Sequence, residues 1–280
     1  MKTWLITGCS TGFGRELATA ALAHGQQVAV TARHPGDIAD IVAPYDSSAA
    51  LALALDVTDP ESVSIAVAAG HEHFGSIDVL LNNAGISYFG GVEESDPQAV
   101  RRLFEINFFG LMRVTNAVLP LMREQRSGTI VNLASIAGLN GFPGVGYYSA
   151  SKFAVEGVSE ALAQEVDAFG IRVLLVEPSA FRTDWARSSA TVAEPIAAYD
   201  RTPLRQQVEA ASDPATPLPG DPAKAAGAII ADVLRSGSNL HLPLGAASYL
   251  ATTAKLDRLR AEYDALEQIA RAADDLPAAV

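Results

Sequence analysis

The chain has 280 residues, of which 49% are hydrophobic and 19% are charged, and its formal net charge is −12. This is the composition of a soluble globular protein, and an acidic chain without basic clusters excludes nucleic acid as an expected partner. A lone cysteine, Cys9, excludes an internal disulfide, and no apolar run approaches the ~20 residues that cross a bilayer. We therefore expect a cytoplasmic protein with no membrane partner.

From residue 3 to about 178, short apolar strands alternate with helical segments. The strand-like segments are TWLIT, VAVTA, LALAL, IDVLLN, GTIVNLA and IRVLLVE, and alanine-rich segments such as RELATAALAHG lie between them. Strands rich in Val, Ile and Leu that alternate with helices are typical of a parallel sheet covered on both faces. We predict an α/β fold, a doubly wound parallel sheet of the three-layer αβα Rossmann type, in a single domain over residues 1–280.

Prolines interrupt every periodic pattern in residues 179 to about 222. Because this segment leaves the carboxyl end of the sixth strand, we predict a substrate lid of short helices without a sheet element. The alternative is a disordered surface segment.

The C-terminal part begins with the predicted helix AKAAGAIIADVL and the predicted last strand NLHLPL. A final helix is expected over about 247–272, packing on its own domain or on a second subunit. Its apolar stripe consists of Leu256, Leu259, Tyr263, Leu266 and Ile269.

A glycine-rich turn lies between the first strand and the first helix. Gly8, Gly12 and Gly14 in TGCSTGFG allow a tight turn whose backbone N–H groups approach a pyrophosphate, which the dipole of the following helix also favours. A turn that serves tight packing alone is the alternative. The strand before and the helix after favour a dinucleotide site.

The end of the second strand, VAVTARH, bears on the choice of cofactor. Ala32 stands where an acidic residue would hold a free ribose 2′-hydroxyl, and Arg33 follows with a guanidinium suited to a 2′-phosphate. We therefore predict NADP(H) as the preferred cofactor, with NAD(H) possible and Ser10 as a second phosphate donor. A solvated surface arginine is the alternative.

Two further strand ends carry polar residues that can line the adenosine half of a cofactor. Asp56 and Val57 follow LALAL, and Asn83 lies in LNNAG. Asp56 can accept from an adenine amino group or act as a turn or capping acid. Asn83 can line the cofactor, brace the sheet, or do both.

The stretch YYSASKF contains a candidate acid/base pair. Tyr148 and Lys152 are four residues apart on one helix face, whereas Tyr147 is five from the lysine. An ammonium beside a phenol lowers its pKa, so we expect Tyr148 to be the working tyrosine. Ser135 ends the strand GTIVNLA, where its hydroxyl can bind a substrate oxygen or cap a helix. A nucleophilic role is not expected because the G-x-S-x-G turn is missing.

These motifs together resemble the short-chain dehydrogenase/reductase (SDR) family, in its single-domain Rossmann branch. TGCSTGFG, DV, NNAG, NFFG, the serine at 135 and YSASK occur in the family's order, mostly within residues 3 to 183. The resemblance implies Tyr148 as the general acid/base, Lys152 as the residue that holds the nicotinamide ribose and lowers the tyrosine pKa, and Ser135 as the residue that binds the substrate oxygen. It implies Asn107 as the holder of a relay water.

The resemblance also implies a set of cofactor-binding positions. They are Gly8, Ser10, Gly12, Phe13 and Gly14 at the phosphates, Asp56, Val57, Asn83, Ala84 and Gly85 at the adenosine half, and Thr183 at the carboxamide. Ser179 departs from the family pattern, because it stands where the family has glycine, and its side chain restricts positive φ in that turn.

We interpret the chain as an NADP-dependent oxidoreductase that acts on a small, apolar carbonyl or secondary alcohol, as a homodimer or homotetramer. The alternatives are a dinucleotide-binding regulatory protein without turnover and a cofactor-retaining epimerase or dehydratase. No metal is expected, since His71 and His73 point apart on a predicted helix. Candidates for substrate contact are Ile86, Phe89, Ser135, Asn140, Phe142, Trp185 and Tyr199. For each aromatic residue among them, ordinary core packing is the alternative and the better expectation.

Overall fold

The structure is a computed structural model that describes residues 1–183, 190–213, 215–235 and 237–274. The strands in these residues are β1 Thr3–Ile6, β2 Gln27–Ala32, β3 Ala50–Ala54, β4 Val79–Asn82, β5 Ser87–Phe89, β6 Gly128–Leu133, β7 Ile171–Pro178, β8 Ala190–Val192 and β9 His241–Leu244. Seven of them form a sheet in the order β3-β2-β1-β4-β6-β7-β9, in which every pair is parallel. The predicted doubly wound parallel sheet is confirmed.

Helices cover both faces of this sheet. They are α1 Gly12–Ala23, α2 Ala39–Val42, α3 Pro60–Phe74, α4 Pro97–Phe104, α5 Leu111–Gln125, α6 Ile136–Leu139, α7 Gly146–Val166, α8 Pro203–Ser212, α9 Pro222–Arg235 and α10 Ala246–Arg271. Apolar residues of α1 and α9 form one core layer with the strands, and those of α3, α5 and α7 form the other. The central strands β1 and β4 are buried throughout, which explains their apolar runs WLI and VLL.

The sheet order changes direction between β1 and β4, because the chain returns from β3 to place β4 on the other side of β1. In such folds a ligand binds outside the carboxyl ends of the strands at this point. The loops after β1, β4, β6 and β7 therefore define where a site is expected.

The proline-rich segment contains a sheet element, contrary to our prediction. Strand β8 pairs in parallel with β5, with Phe89 opposite Val192, in a separate two-stranded sheet. The pairing was not predictable from local sequence, because β5 and β8 are three residues long and far apart in the chain. It fixes residues 190–192 of the segment beside β5, which follows the loop after β4.

Helix α8, in the middle of this segment, is held by a buried ion pair. The Arg205 guanidinium on α8 donates to Glu94 Oε1 at 2.5 Å, and the carboxylate also accepts from the backbone N–H groups of Gly91 at 2.9 Å and Ile196 at 3.0 Å. A Cβ on Gly144, where φ is 78°, would approach the Val208 side chain to 2.9 Å. Helix α8 thus packs on the loop between α6 and α7.

Helix α10 packs on the domain only along its first half. Ser248 donates to the carbonyl of Glu177 at 2.7 Å, and Thr252 lies 3.4 Å from the Asn140 amide. Every described residue from Arg260 to Asp274 is exposed. Within the described ranges, no helix is both long enough and apolar enough to cross a membrane.

Candidate active site

The loop after β1 has the geometry of a phosphate cradle. Gly8 and Gly12 have φ of 71° and 59°, which side chains rarely adopt. A Cβ on Gly14 would lie 2.4 Å from the carbonyl oxygen of Gly8, so this position admits glycine alone. The turn leads directly into helix α1, whose N-terminus favours binding of an anion. These residues fit a dinucleotide pyrophosphate.

The glycine turn is braced by the loop after β4. Asn83 Nδ2 donates to the carbonyls of Thr7 and Gly8, both at 2.9 Å. The Thr7 hydroxyl accepts from the backbone N–H groups of Asn83 and Ala84. Asn83 therefore has the bracing role that we considered beside cofactor contact.

Two arginines, Arg33 and Arg102, place positive charge near Asp56 at the carboxyl ends of β2 and β3. Arg33 is exposed at the end of β2. Asp56 accepts from the backbone N–H of Thr58 at 2.9 Å and from its hydroxyl at 2.7 Å, so it is a turn acid as the alternative stated. Partial burial raises the pKa of Asp56, but these hydrogen bonds and the charges of Arg33 and Arg102 outweigh it and lower that pKa. Sequence reasoning missed Arg102, because nothing local indicates that α4 faces this corner.

Asn107 lies in a π-helical turn, Glu105–Gly110, between α4 and α5. Its carboxamide accepts from Ile86 N at 2.8 Å and donates to Ile86 O at 3.0 Å and to the Ser151 hydroxyl at 3.2 Å. Such turns often occur at functional sites. Asn107 is 1% exposed and joins the loop after β4 to the helix that carries Tyr148 and Lys152.

Ser135 and Tyr148 meet at the carboxyl end of β6. Ser135 caps α6, with its Oγ accepting from Ala137 N at 3.1 Å, so the capping role is present. The same hydroxyl also makes a hydrogen bond with the Tyr148 hydroxyl. Tyr148 and Ser135 are both 7% exposed, so a substrate oxygen placed here would be largely shielded from water.

Lys152 lies behind this pair. Its Nζ donates to the carbonyl of Leu133 at 2.5 Å and lies 5.9 Å from the centroid of the Tyr148 ring. Burial lowers the pKa of the Lys152 ammonium to about 8, against the opposing charge of Glu156.

The expected lowering of the Tyr148 pKa is not found. Burial raises the pKa of the phenol above its ordinary value, and the hydrogen bond from Ser135 offsets this only partly. The nearby ammonium is visible in the sequence, whereas the loss of water around the hydroxyl depends on the folded structure. Tyr148 is therefore protonated at neutral pH.

Glu156 is one helical turn beyond Lys152 and belongs to a buried group of acids. Glu156 and Glu177 are 3% and 2% exposed, and His241 Nδ1 lies 2.6 Å from Glu177 Oε1. Burial, and then the charges of Glu177 and Glu160, raise the pKa of Glu156 to about 8. The spacing from Lys152 could have indicated Glu156, since residues four apart share a helix face.

Ligand atoms of Glu156, Glu177 and His241 all lie within 4.8 Å of one another, a donor set that suits a divalent cation. A proton on Glu156 balances the charge equally well, and we propose no metal here. The histidines considered from the sequence lie elsewhere, with His73 Nε2 2.5 Å from the carbonyl of Ser47.

Replacing Glu156 with glutamine should make folding less sensitive to pH. The folded pKa of this carboxyl is about 8 and its ordinary value is 4.5, so the wild type loses stability as pH rises between these values. As pH rises through that window, the free energy of unfolding of E156Q should increase relative to that of the wild type. The relative increase should be at most about 1.4 kcal/mol per pH unit. Urea titrations at pH 5 to 8 measure this. A difference between the two proteins that does not change with pH would contradict it.

The turn after β7 adapts to Ser179 without strain. Among described residues, Arg126 is the one non-glycine with positive φ, so Ser179 does not adopt the conformation that we considered restrictive. Ser179 N donates to the carbonyl of Leu244 at 2.9 Å. A Cβ on Gly12 would lie 3.6 Å from Cβ of Thr183, so Thr183 reaches the glycine turn. Next to it, Phe13 and Phe181 pack with ring centroids 5.1 Å apart.

The structure separates the predicted substrate residues. Phe89 is 1% exposed in β5, which favours core packing, the alternative to substrate contact for this residue. Asn140 uses its amide on Ile136 O and on Thr252, which indicates a structural role. Tyr199 donates to Glu93 at 2.6 Å.

Two of these candidates fit a pocket wall. Phe142 is 37% exposed in the loop before α7, and Ile86 packs on the cluster that contains Tyr148. Trp185 lies outside the described residues.

A parallel Rossmann sheet with a glycine cradle and a Ser–Tyr–Lys group at its carboxyl edge defines a dinucleotide-dependent dehydrogenase or reductase. The family model for short chain dehydrogenases matches residues 2–193. The chain belongs to the short-chain dehydrogenase/reductase family and is an NAD(P)-dependent oxidoreductase.

Similar proteins agree with this class. Oxidoreductase BOA17 of Botryotinia fuckeliana is 44% identical over 200 residues, 70% of this chain and 73% of that protein. The 3-ketodihydrosphingosine reductase of Bacteroides thetaiotaomicron is 44% identical over 179 residues, 64% of each chain.

Solved structures extend the likeness to nearly all of the chain. A short-chain dehydrogenase from Streptomyces avermitilis has a TM-score of 0.89 and 43% identity, covering 98% of this chain and 100% of that one. An SDR from Burkholderia phymatum in complex with NAD has a TM-score of 0.78 and 25% identity, covering 95% of each chain.

Proposed function

We propose that this protein is an NADP-dependent reductase of apolar ketones, with the reverse oxidation of secondary alcohols at the same site. The observation that carries the proposal is the hydrogen-bonded pair of Ser135 and Tyr148 at the carboxyl end of β6, beside Lys152. When bound, the nicotinamide supplies or accepts the hydride. The residues of the chain hold the substrate oxygen and move its proton.

The protonation state of Tyr148 suits reduction at neutral pH. Because burial raises its pKa, the hydroxyl keeps its proton until a carbonyl oxygen acquires negative charge. Ser135 donates to the same oxygen and orients it. Lys152 provides positive charge behind the phenol as the proton leaves. In the oxidation of an alcohol, Tyr148 must first lose its proton so that it can act as the base. Because the Lys152 ammonium stabilises the phenolate, it contributes more to oxidation than to reduction.

The preference for NADP rests on Arg33, on Ala32 in place of an acid, and on the proximity of Arg102 to Asp56. Gly8, Gly12, Phe13 and Gly14 would hold the pyrophosphate, with Ser10 beside the 2′-phosphate. The adenosine half would lie along Asp56, Val57, Asn83, Ala84 and Gly85, and the carboxamide would approach Thr183.

Replacing Arg33 with alanine should weaken NADPH binding about ten- to a hundredfold, the value of a charge-assisted hydrogen bond to a phosphate. NADH binding should stay nearly constant, because NADH lacks the 2′-phosphate. Fluorescence titration of both cofactors measures this, with R258A on α10 as the control for loss of one exposed arginine. An equal loss for both cofactors would refute the phosphate role.

The substrate class follows from the residues around Tyr148. Tyr88, Leu103 and Ala193 are buried against it, with Ile86 and Tyr147 packed on the same cluster. We expect the described part of residues 179–222 to act as a lid over this cluster, with Phe142 in its wall. The related reductase named for 3-ketodihydrosphingosine supports a ketone on an apolar chain.

The direct test is NADPH oxidation in the presence of ketones whose apolar chains increase in length. kcat/KM should rise with chain length, since each buried CH₂ contributes about 0.8 kcal/mol. No turnover with any ketone in the presence of bound NADPH would overturn the proposal and favour a regulatory role. Cys9 is a buried free thiol, which suits a reducing compartment, so we propose a cytoplasmic protein. Its family membership supports the further proposal of a homodimer or homotetramer.

A further inference from the structure

The second half of α10 is the largest unexplained feature of the molecule. Leu256, Tyr263, Leu266 and Ile269 are 58%, 75%, 53% and 70% exposed. A helix of about 12 residues without packing is marginal in water, even with favourable side-chain pairs. Ion pairs such as Arg260–Asp264 at 2.9 Å support this helix but leave its apolar stripe uncovered by described residues.

The stripe continues the helix face that packs on the domain. Ser248, Thr252 and Lys255 contact the domain through Glu177, Asn140 and Leu139. Going on by steps of four and three, the same face presents Leu259, Tyr263, Leu266 and Ala270. This is a heptad pattern, with Leu256, Tyr263 and Ala270 at a and Leu259 and Leu266 at d. A seam of this kind fits a second helix of the same kind.

We propose that α10 pairs with α10 of a second copy of this chain as an antiparallel two-helix coiled coil. In the favoured register, Tyr263 of one copy packs on Leu266 of the other, and Leu259 packs on Ala270. Each contact occurs twice because of the two-fold symmetry.

The flanking charges select this arrangement. In the antiparallel register Arg260 and Glu267, both at e, face each other across the seam twice. A shift by one heptad would place Arg260 against Arg260 and Glu262 against Glu262. A parallel pair would place Lys255 against Arg260 and Glu262 against Glu267. Of these three arrangements, the unshifted antiparallel register is the one that brings opposite charges together.

Charge reversal tests this proposal in the full chain. R260E and E267R should each weaken self-association about tenfold or more, because two attractive pairs become two repulsive ones. The double variant R260E/E267R restores opposite charges and should associate within about threefold of the wild type. Sedimentation velocity over a range of concentrations gives the association constant. The method applies equally if α10 pairing joins two monomers into a dimer or two dimers into a tetramer.

The control is R258E, which makes the same charge change at a position outside the seam and also removes an i,i+4 pair, Arg258–Glu262. It should leave association unchanged. Tighter association of R260E and E267R would indicate the parallel pair and overturn the proposal. So would single variants that behave as the wild type, since α10 would then have another partner. NADPH binding is measured on the same samples, so that failure here is separate from failure of the proposed chemistry.

Discussion

Replacing Tyr148 with phenylalanine should lower kcat by a factor of about 10²–10⁴, the contribution of a positioned general acid. The change removes one oxygen atom from a buried site, and with it the hydrogen bond to Ser135 and the proton that a ketone oxygen needs. The ring and its packing remain. The dissociation constant of NADPH should therefore change little, and a steady-state assay together with a binding titration measures both.

Tyr147 provides the matched control for this variant. It is adjacent in sequence and packs on the same apolar cluster, but it is not the tyrosine four residues from Lys152. Y147F should keep most of the activity. If Y148F retained full turnover, or if Y147F lost as much, the acid/base assignment would be wrong.

Replacing Glu94 with glutamine should reduce the free energy of unfolding by about 1.5–3 kcal/mol, the value of a hydrogen bond to a charged group, because Arg205 keeps an exposed partner, Asp200, at 3.7 Å. The Glu94 side chain is fully buried, and that of Arg205 is 12% exposed. The carboxylate accepts from Gly91 and Ile196 as well as from Arg205. Glutamine has one acceptor oxygen, and its NH₂ group would face a donor.

Urea denaturation and the KM for the ketone measure the two consequences of E94Q. Because Arg205 is on α8, weakening its ion pair should also make the lid more mobile. We therefore expect E94Q to raise KM more than it lowers kcat. The neighbouring Glu93 is the control, since it accepts an exposed hydrogen bond from the Tyr199 hydroxyl. E93Q should cost less than about 1 kcal/mol. Equal losses for E93Q and E94Q would show that the buried pair does not hold the lid.

Features with a strong local signal were predictable from the sequence. The strands β1, β4, β6 and β7 are mostly apolar, with runs such as VLLV in β7, because parallel strands covered on both faces favour apolar side chains. The glycine turn was recognisable because Gly8, Gly12 and Gly14 stand between a strand and a helix, and the structure gives a reason for each of them. The spacing of Tyr148 and Lys152 depends only on helix geometry.

Features that depend on distant contacts were not predictable. Arg205 and Glu94 are 111 residues apart, and nothing in either local sequence indicates the other. The pairing of β5 with β8 joins the loop after β4 to the lid in the same way. The raised pKa of Tyr148 depends on burial, which a one-dimensional pattern does not give. The exposure of α10 likewise appeared only when the edge of the domain was known.

The most direct test of the central claim is a fluorescence titration of the purified full chain with NADPH and, separately, with NADH. Saturable binding of both, tighter for NADPH, is the predicted result, since the cradle formed by Gly8, Gly12 and Gly14 serves either cofactor and Arg33 favours the phosphate. Tighter binding of NADH would contradict the NADP preference and leave the oxidoreductase assignment in place. Absence of saturable binding by both would contradict the dinucleotide site itself.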